Sequence, residues 1–201
     1  MDSKIPSTEV KAMIKLNLGC YDKKLPGFVN VDIREDCGPD LVDNAFALNK
    51  IDDNSVDLIY SCHMLEHLSY TESRIALETW YRKLKKGGIL RLAVPDLEKA
   101  CALYLLTKDK TRTKSMFWGS QKHNFDFHKN GWSKEELTQD LIGAGFSNVV
   151  EWSWQTTDPH YYCDDYSQSY FPDMAKQYLM SNGKEINFGG VLLSLNLEGT
   201  K

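Results

Sequence analysis

The stretch Lys15-Leu-Asn-Leu-Gly19-Cys-Tyr21 decides the fold of this chain, together with Asn30-Val-Asp32 a short distance further on. The first apolar run enters a glycine turn, and the second ends in a carboxylate. In an open α/β sheet this arrangement brings the turn and the acid together at the carboxyl edge of two neighbouring strands, where nucleosides bind. Tyr21 stands where a nucleoside fingerprint carries its next glycine, so this segment alone does not distinguish a cofactor site from a plain strand and turn.

Composition indicates one ordinary globular domain spanning residues 1–201. The chain is 42% hydrophobic and 26% charged, with a formal net charge of -4, and such values are typical of a chain that buries a single core. A mildly acidic balance provides no electrostatic footprint for duplex nucleic acid. We therefore expect no nucleic-acid partner.

Cysteine usage and the N-terminal residues both favour a cytoplasmic location. The five cysteines are scattered and include no C-x-x-C pair, which favours reduced thiols and no metal site. Residues 1–13 mix charges with isolated apolar residues, so they contain neither a signal-peptide core nor a membrane span. We expect a soluble protein without membrane contact.

Short apolar runs bounded by Gly, Pro and Asp predict seven strands, and two capping boxes predict helices between them. Ser69-x-x-Glu72 opens a helix with an apolar stripe that includes Leu77 and Trp80, and Gly87-Gly88 is expected to end it. Ser133-x-x-Glu136 opens a shorter helix that Gly145 ends. The predicted strands are residues 14–18, 28–33, 41–42, 56–60, 89–94, 149–154 and 191–197.

Alternation of strands and helices predicts an α/β fold with a mostly parallel sheet covered by helices on both faces. Residues 108–132 and 155–171 do not fit a minimal sheet. Both are rich in aromatics and histidines, and long connections of this kind often form pocket walls and lids. We expect two lid-like insertions there, with a solvated surface loop as the alternative for each.

Six ordered motifs resemble those of the class I S-adenosylmethionine-dependent methyltransferases. The similarity extends over residues 14–150 and is greatest to a small subgroup found near polysaccharide biosynthesis genes. The motifs are Leu16-Asn-Leu-Gly-Cys20, Leu25-Pro-Gly-Phe-Val-Asn-Val-Asp32, Asp53-Asn-Ser-Val-Asp-Leu-Ile-Tyr60, Leu65-Glu-His-Leu68, Arg82-Lys-Leu-Lys-Lys-Gly-Gly88 and Val94-Pro-Asp-Leu97.

This resemblance implies a Rossmann-like three-layer sandwich whose seven-stranded sheet has its last strand antiparallel, with S-adenosylmethionine as the cofactor. The methionine part would lie on the first turn, the ribose hydroxyls on the acid of the second strand, the adenine along the third, and the sulfonium above the fourth. The residues implied, in that order, are Asn17, Gly19, Cys20 and Tyr21; Asp32 and Ile33; Asp43, Asn44, Ala45 and Phe46; and Ser61, His63 and Leu65.

Two departures from the family pattern shape the expectation. Only residues 19–27 separate the first two strands, where a full crossover needs a dozen or more residues, so the first helix must be vestigial or the ligand differently seated. The Asn-Pro-Pro-Tyr motif of base-amine methyltransferases is replaced by Ser61-Cys-His-Met. We therefore expect a small-molecule or saccharide acceptor rather than a nucleic-acid base.

Methyl transfer to such an acceptor demands mainly that acceptor and methyl group be held in line. A hydroxyl acceptor still benefits from a base. His128 is the first choice, because it precedes the second capped helix where lid and crevice could meet. The other candidates are His123, Asp126, His160 and Asp96.

Two alternative functions remain open from the sequence. A non-catalytic S-adenosylmethionine-binding or partner-binding module is favoured by Tyr21, whose ring could narrow the methionine channel. The sequence His63-Met-Leu-Glu66-His67 also matches the H-x-x-E-H motif of zinc hydrolases. That motif needs a helix through both histidines, whereas the capping box predicts that the helix starts near Ser69.

Overall fold

A computed structural model describes residues 13–108, 110–153 and 192–201. These residues form a seven-stranded sheet in the order β3-β2-β1-β4-β5-β7-β6. Strands β1 to β5 are parallel, whereas β7 runs antiparallel to both β5 and β6. The strands are β1 Lys15–Leu18, β2 Val29–Asp32, β3 Leu41–Val42, β4 Val56–Cys62, β5 Leu84–Pro95, β6 Ser147–Glu151 and β7 Ser194–Thr200.

The register of the parallel strands aligns their carboxyl ends. Leu18 at the end of β1 pairs with Val31 of β2 on one side and with Ser61 of β4 on the other. Asp32 pairs with Val42 of β3. The residues that follow these strands therefore share one edge of the sheet, as the sequence predicts.

Two of the helices begin at the predicted capping boxes. In α1, Tyr70–Lys83, the Ser69 side chain accepts the Glu72 N–H while the Glu72 carboxylate accepts the Ser69 N–H, and α4, Lys134–Gly143, has the same reciprocal pair. The apolar stripe of α1 is buried, with Leu77 and Trp80 in the main core. Helix α4 contributes Leu137 and Leu141 to the same core.

The predicted end of α1 at Gly87-Gly88 is wrong. The helix ends at Lys83, and Leu84 is already extended because it pairs with Val56 as the first residue of β5. Both glycines lie within β5. A Cβ on Gly88 would come within 3.2 Å of the Val56 carbonyl oxygen, so this glycine allows close approach of the two strands where their register shifts.

The connection between β1 and β2 contains no helix, as the short spacing predicts. Leu25 and Phe28 of this connection are buried against Tyr60 and Trp152 in a second apolar cluster. Leu58 and Tyr60 of β4 belong to this cluster, whereas Ile59 belongs to the main core, and alternate residues of a strand point to opposite faces. The connection thus covers the sheet face that a first helix would cover.

Residues 97–118 hold two helices that the sequence does not predict. Helix α2, Leu97–Thr107, begins at Asp96, and α3, Lys110–Trp118, occupies the first part of the expected irregular insertion 108–132. The insertion at 155–171 lies outside the described residues. Among the helices that the structure describes, none is long and apolar enough to cross a membrane.

Candidate active site

The turn after β1 requires glycine at its first position. Gly19 has φ +67°, and its N–H donates to the Val31 carbonyl at 2.9 Å. A Cβ there would overlap the side chain of Met64, which follows β4. Both the backbone conformation and the close approach of Met64 therefore exclude a larger residue, as expected of a turn that brings backbone near a ligand.

Tyr21 keeps the backbone shape of the glycine that it replaces. Its φ is +44°, in the left-handed region that glycine favours. Its N–H donates to Asp32 Oδ2 at 2.8 Å. The ring is 49% exposed and lies beside Arg34, whose guanidinium carbon is 5.1 Å from the ring centroid.

Asp32 is the acid at the centre of the site. It is 6% exposed, and its two oxygens accept the backbone N–H groups of Tyr21, at 2.8 Å, and Arg34, at 2.9 Å. A carboxylate offers roughly four lone-pair sites, so acceptor capacity remains after these two bonds. The residues present therefore fit a ligand with adjacent hydroxyls, such as a ribose.

The segment after β3 is shaped by its own side chains. The Asp43 carboxylate accepts the N–H groups of Asn44 and Lys50, at 2.8 and 2.9 Å, and the Asn44 side chain accepts the Phe46 N–H at 3.0 Å. The Ala45 carbonyl accepts Trp80 Nε1–H from helix α1 at 2.7 Å. Asp43 and Asn44 thus hold the loop in shape through their own hydrogen bonds, and Phe46 is half-buried beside them.

The remaining predicted cofactor residues take different positions around the turn. Asn17 is buried, and its Nδ2 donates to the Lys23 carbonyl and to Asn30 Oδ1, so it supports the turn from behind. Ile33 is 45% exposed beside Asp32, and Leu65 is fully buried in the main core.

Cys20 and Ser61 are buried polar groups at the strand ends. Burial and, secondarily, the negative charge of Asp32 raise the pKa of the Cys20 thiol to about 12. Cys20 is therefore a neutral thiol, unsuited to nucleophilic chemistry. The Ser61 hydroxyl is buried at the end of β4 and has no hydrogen-bond partner among the described residues, which leaves it free to serve a ligand.

The structure brings His123 next to the glycine turn, whereas Asp126 bonds within its own loop. The His123 ring centroid is 6.1 Å from that of Tyr21, and its buried Nδ1 has no partner among the described residues. The Asp126 carboxylate accepts the Ser120 hydroxyl and the Lys122 N–H. Asp126 therefore fixes the loop that presents His123.

His128 lies apart from the turn and faces Glu66. Its Nδ1 bonds to the Met116 carbonyl at 2.9 Å, and its Nε2 is 3.8 Å from Glu66 Oε1. Burial is the main reason that the pKa of His128 lies below its usual value. The ring is therefore neutral at pH 7.

Glu66 is a buried acid to which sequence reasoning gives a chemical role only within the zinc motif. Its side chain is fully buried, and Oε1 lies 3.1 Å from His63 Nδ1. Burial by itself raises the pKa of this carboxyl, but the His63 hydrogen bond, with smaller contributions from the neighbouring His63, His67 and His128 rings, holds it below the usual value. The sequence feature that could have identified this buried acid is its position as the single carboxylate between the two leucines of the motif Leu65-Glu-His-Leu68.

The helix that the H-x-x-E-H motif requires is not formed. Residues Leu65–His67 make one 3-10 turn, and α1 begins only at Tyr70. His63 has φ +51°, and its ring bonds to Glu66 and to Ser194. His63 and His67 therefore do not lie one helical turn apart.

Of the other two candidate bases, Asp96 has a structural role. Asp96 caps α2, since one oxygen accepts the Lys99 N–H at 3.0 Å while the other pairs with Lys99 Nζ at 2.9 Å. His160 lies outside the described residues.

A cavity of about 310 Å³ opens beyond the end of β5. Its walls come from β5, from helices α1 to α3 and from the segment that leads to α4, and they combine aromatic and apolar side chains with polar groups. The lining residues include Tyr70, Pro95, Met116, Trp118 and His128.

Comparison with known proteins agrees with this architecture. Residues 28–92 match the family model of a methyltransferase domain. A search of curated proteins found no match. Among solved structures, the chain is similar to a S-adenosylmethionine-dependent methyltransferase of Archaeoglobus fulgidus, with 17% identity and a TM-score of 0.57 over 94% of this chain and 86% of that one. Similar structures are known from Methanosarcina mazei, with 16% identity and a TM-score of 0.57 over 96% and 94% of the two chains, and from Mesorhizobium loti, with 16% identity and a TM-score of 0.50 over 98% and 94%.

Strand order, the reversed β7 and the matched domain agree on one class. The chain has the fold of the class I S-adenosylmethionine-dependent methyltransferases, and residues 28–92 match a methyltransferase domain. The fold implied by the six sequence motifs is therefore confirmed, and the matched domain and the similar structures support S-adenosylmethionine as the cofactor. The link to the subgroup near polysaccharide biosynthesis genes stays a prediction.

Proposed function

We propose that this protein transfers a methyl group from S-adenosylmethionine to a small-molecule or glycan-related acceptor by direct in-line transfer. The observation that carries the proposal is the bond between Tyr21 N–H and Asp32 Oδ2, which couples the glycine turn of β1 to the acid of β2. A nucleoside with a charged tail needs these two features side by side.

The chain's own residues supply a place for each part of the cofactor. Asp32 would accept the ribose hydroxyls with its remaining lone pairs, and the turn at Gly19 would take the methionine part. Phe46 would lie along the adenine, and the free hydroxyl of Ser61 would bond to the ligand near the strand ends. These assignments rest on the hydrogen bonds and burial of the described residues.

S-adenosylmethionine supplies an already activated methyl group, so the protein contributes orientation and the removal of a proton from the acceptor. His123 is the base that the geometry supports best. Its Nδ1 has no partner among the described residues, and its ring stands beside Tyr21 at the turn. His128, the first choice from the sequence, directs its free nitrogen toward Glu66 instead.

The cavity beyond β5, which is lined by His128 and not by His123, would receive the part of the acceptor that lies away from the methylated atom. Its volume of about 310 Å³ is near the lower end of the range for small-molecule pockets. Tyr70, Met116 and Trp118 provide apolar walls, which suit the ring face of a sugar or a phenol. A base of DNA or RNA within a chain would need a larger, more basic approach surface.

A second candidate is a non-catalytic module with the same fold. Tyr21 favours it, because a partly exposed ring held between Arg34 and His123 stands at the turn where the methionine part would bind. Cofactor binding without methyl transfer to any acceptor would support this alternative.

Thermal unfolding and calorimetry with S-adenosylmethionine, S-adenosylhomocysteine and nicotinamide adenine dinucleotide test the cofactor. A ligand at 100 times its Kd adds about 2.7 kcal/mol, which raises the Tm by about 5–10 °C for a domain of this size. We expect this shift with the two sulfur nucleosides only. No shift with either would refute the proposal.

Release of S-adenosylhomocysteine in the presence of sugar nucleotides, free sugars and phenols tests the acceptor class. Replacing His123 with Asn should lower turnover about 100-fold or more, since general base catalysis contributes about that much, without changing cofactor affinity. The neighbouring Lys122→Gln exchange is the matched control. Unchanged turnover in His123→Asn would remove His123 from the mechanism.

A further inference from the structure

Three potential metal ligands converge beside the proposed acceptor cavity. One ligand atom from each of Glu66, His67 and His128 lies within 4.8 Å of the others. Glu66 and His67 belong to the 3-10 turn after β4, and His128 comes from the segment after α3. The cluster therefore joins two parts of the chain that are distant in sequence.

Both histidine rings are oriented by backbone carbonyls. His67 Nδ1 lies 3.2 Å from the Phe127 oxygen, and His128 Nδ1 lies 2.9 Å from the Met116 oxygen. A carbonyl only accepts, so each Nδ1 carries the proton, and each Nε2 keeps its lone pair. A histidine that ligates a metal through one nitrogen characteristically donates its other N–H in this way.

Glu66 supplies an independent indication that a cation belongs here. Its side chain is fully buried, yet Oε2 has no hydrogen-bond partner among the described residues. A buried carboxylate oxygen without a partner is costly. His128 Nε2 is 3.8 Å from the other oxygen, Oε1, which is beyond hydrogen-bonding distance.

We propose that Glu66, His67 and His128 bind one divalent first-row transition metal ion of the zinc type. Two imidazoles and one carboxylate suit such ions. Tetrahedral donors around zinc lie about 3.4 Å apart, so the 3.8 Å between His128 and Glu66 closes with a small side-chain rotation.

This site differs from the H-x-x-E-H reading of the sequence. His63 is not a ligand, because its two ring nitrogens already bond to Glu66 and Ser194. Its contact with Oε1 instead orients the carboxylate. Three protein ligands leave one tetrahedral position open, and His128 also lines the cavity beyond β5. The ion would therefore tie the segment after α3 to the turn after β4, at the wall of this cavity.

Metal binding can be measured without any methyl acceptor. Purified full-length protein is stripped with a chelator and titrated with Zn²⁺ against a competing indicator, and with Co²⁺ by visible spectroscopy. We expect one equivalent of either ion and a tetrahedral Co²⁺ spectrum without thiolate charge-transfer bands. His67→Gln and His128→Gln should each weaken Zn²⁺ binding by about 100-fold or more, since even outer partners of a ligand are worth about 10–100-fold.

His123→Gln is the matched control, because it removes a histidine from the same segment but outside the cluster. It should bind Zn²⁺ as the unaltered protein does. Circular dichroism and affinity for S-adenosylhomocysteine establish that each variant is folded. The proposal would be overturned if the unaltered protein did not bind one equivalent of Zn²⁺ tightly. It would also be overturned by unchanged affinity in both folded histidine variants, or by Co²⁺ spectra with thiolate bands, which would assign the ion to cysteines. If one histidine variant does not fold, the other variant and the Co²⁺ spectrum of the unaltered protein decide.

Discussion

Replacing Asp32 with Asn should abolish most cofactor affinity while leaving a folded protein. The carboxylate uses one oxygen for Tyr21 N–H and the other for Arg34 N–H, at 2.8 and 2.9 Å. The remaining lone pairs are those available to two ribose hydroxyls. An amide has a single acceptor oxygen, so its NH2 group must face one of the two backbone donors.

The magnitude follows from these bonds. A hydrogen bond to a charged group contributes about 1.5–3 kcal/mol, so losing two to the ribose costs about 3–6 kcal/mol, or at least about 100-fold in Kd. The lost backbone bond costs about 1–3 kcal/mol of stability, which lowers the Tm by about 2–4 °C for each kcal/mol. Calorimetry with S-adenosylhomocysteine measures the Kd, and thermal unfolding measures the stability.

Asp57→Asn is the matched control for this experiment. Asp57 Oδ2 accepts the Ile14 N–H at 2.8 Å, and both oxygens bond to Lys85 Nζ at 2.7 Å, but the residue lies at the start of β4, at the opposite edge of the sheet. Asp57→Asn should lower the Tm without changing the Kd. If folded Asp32→Asn binds S-adenosylhomocysteine within about threefold of the unaltered protein, a difference below about 1 kcal/mol, the ribose assignment is refuted.

Three further predictions concern the turn and its surroundings. Gly19→Ala should cost about 1–3 kcal/mol of stability through its positive φ and its overlap with Met64, and it should abolish S-adenosylhomocysteine binding. Gly143→Ala, with open space around it, should do neither. Equal free energies of unfolding for the two variants, measured by chemical unfolding, would contradict this. Iodoacetamide at pH 8 should modify exposed Cys101 much faster than Cys20, whose pKa is raised to about 12, and peptide mass spectrometry that found Cys20 alkylated first would show that the turn is open. The hydrogen bond from the Ser69 N–H lowers the pKa of Glu72. The capping box therefore stabilises the fold at pH values above the pKa of Glu72 in the unfolded chain, and this contribution is lost as the pH falls through the lower pKa of the folded state. Glu72→Gln should flatten the decline of Tm with acidification, and the same decline in the variant and the unaltered protein would exclude this role.

Local sequence patterns predict most of the sheet edge, because the conformation of each of these elements is determined by residues close in sequence. The apolar runs, the Ser69 box and the glycine turn act over a few residues, and the short spacing before β2 leaves no room for a helix. Gly87-Gly88 misleads because pairing of Leu84 with Val56 begins β5 before the glycines are reached. Such pairing depends on a strand distant in sequence, and local propensity does not contain it.

The lid histidines show the same limit at the site. His123, Asp126 and His128 come from one short segment, and sequence reasoning ranks His128 first among them as a base. The fold separates them: His123 turns toward Tyr21, whereas His128 turns toward Glu66. The Lys129 N–H donates to the Glu66 carbonyl at 2.8 Å, which fixes where the segment crosses the turn after β4. Only this crossing decides which histidine reaches which partner.

Tyr21 shows how a fingerprint can be kept in the backbone while it is lost in the sequence. A left-handed φ for a non-glycine residue costs on the order of 1 kcal/mol, and the chain accepts this cost at +44°. The N–H of Tyr21 can then reach Asp32, as a glycine's N–H would. The side chain is additional, and it places a ring between Arg34 and His123. The backbone bond between the turn and Asp32 is therefore kept at Tyr21. The ring adds a contact between the turn and the segment that carries His123, the proposed base.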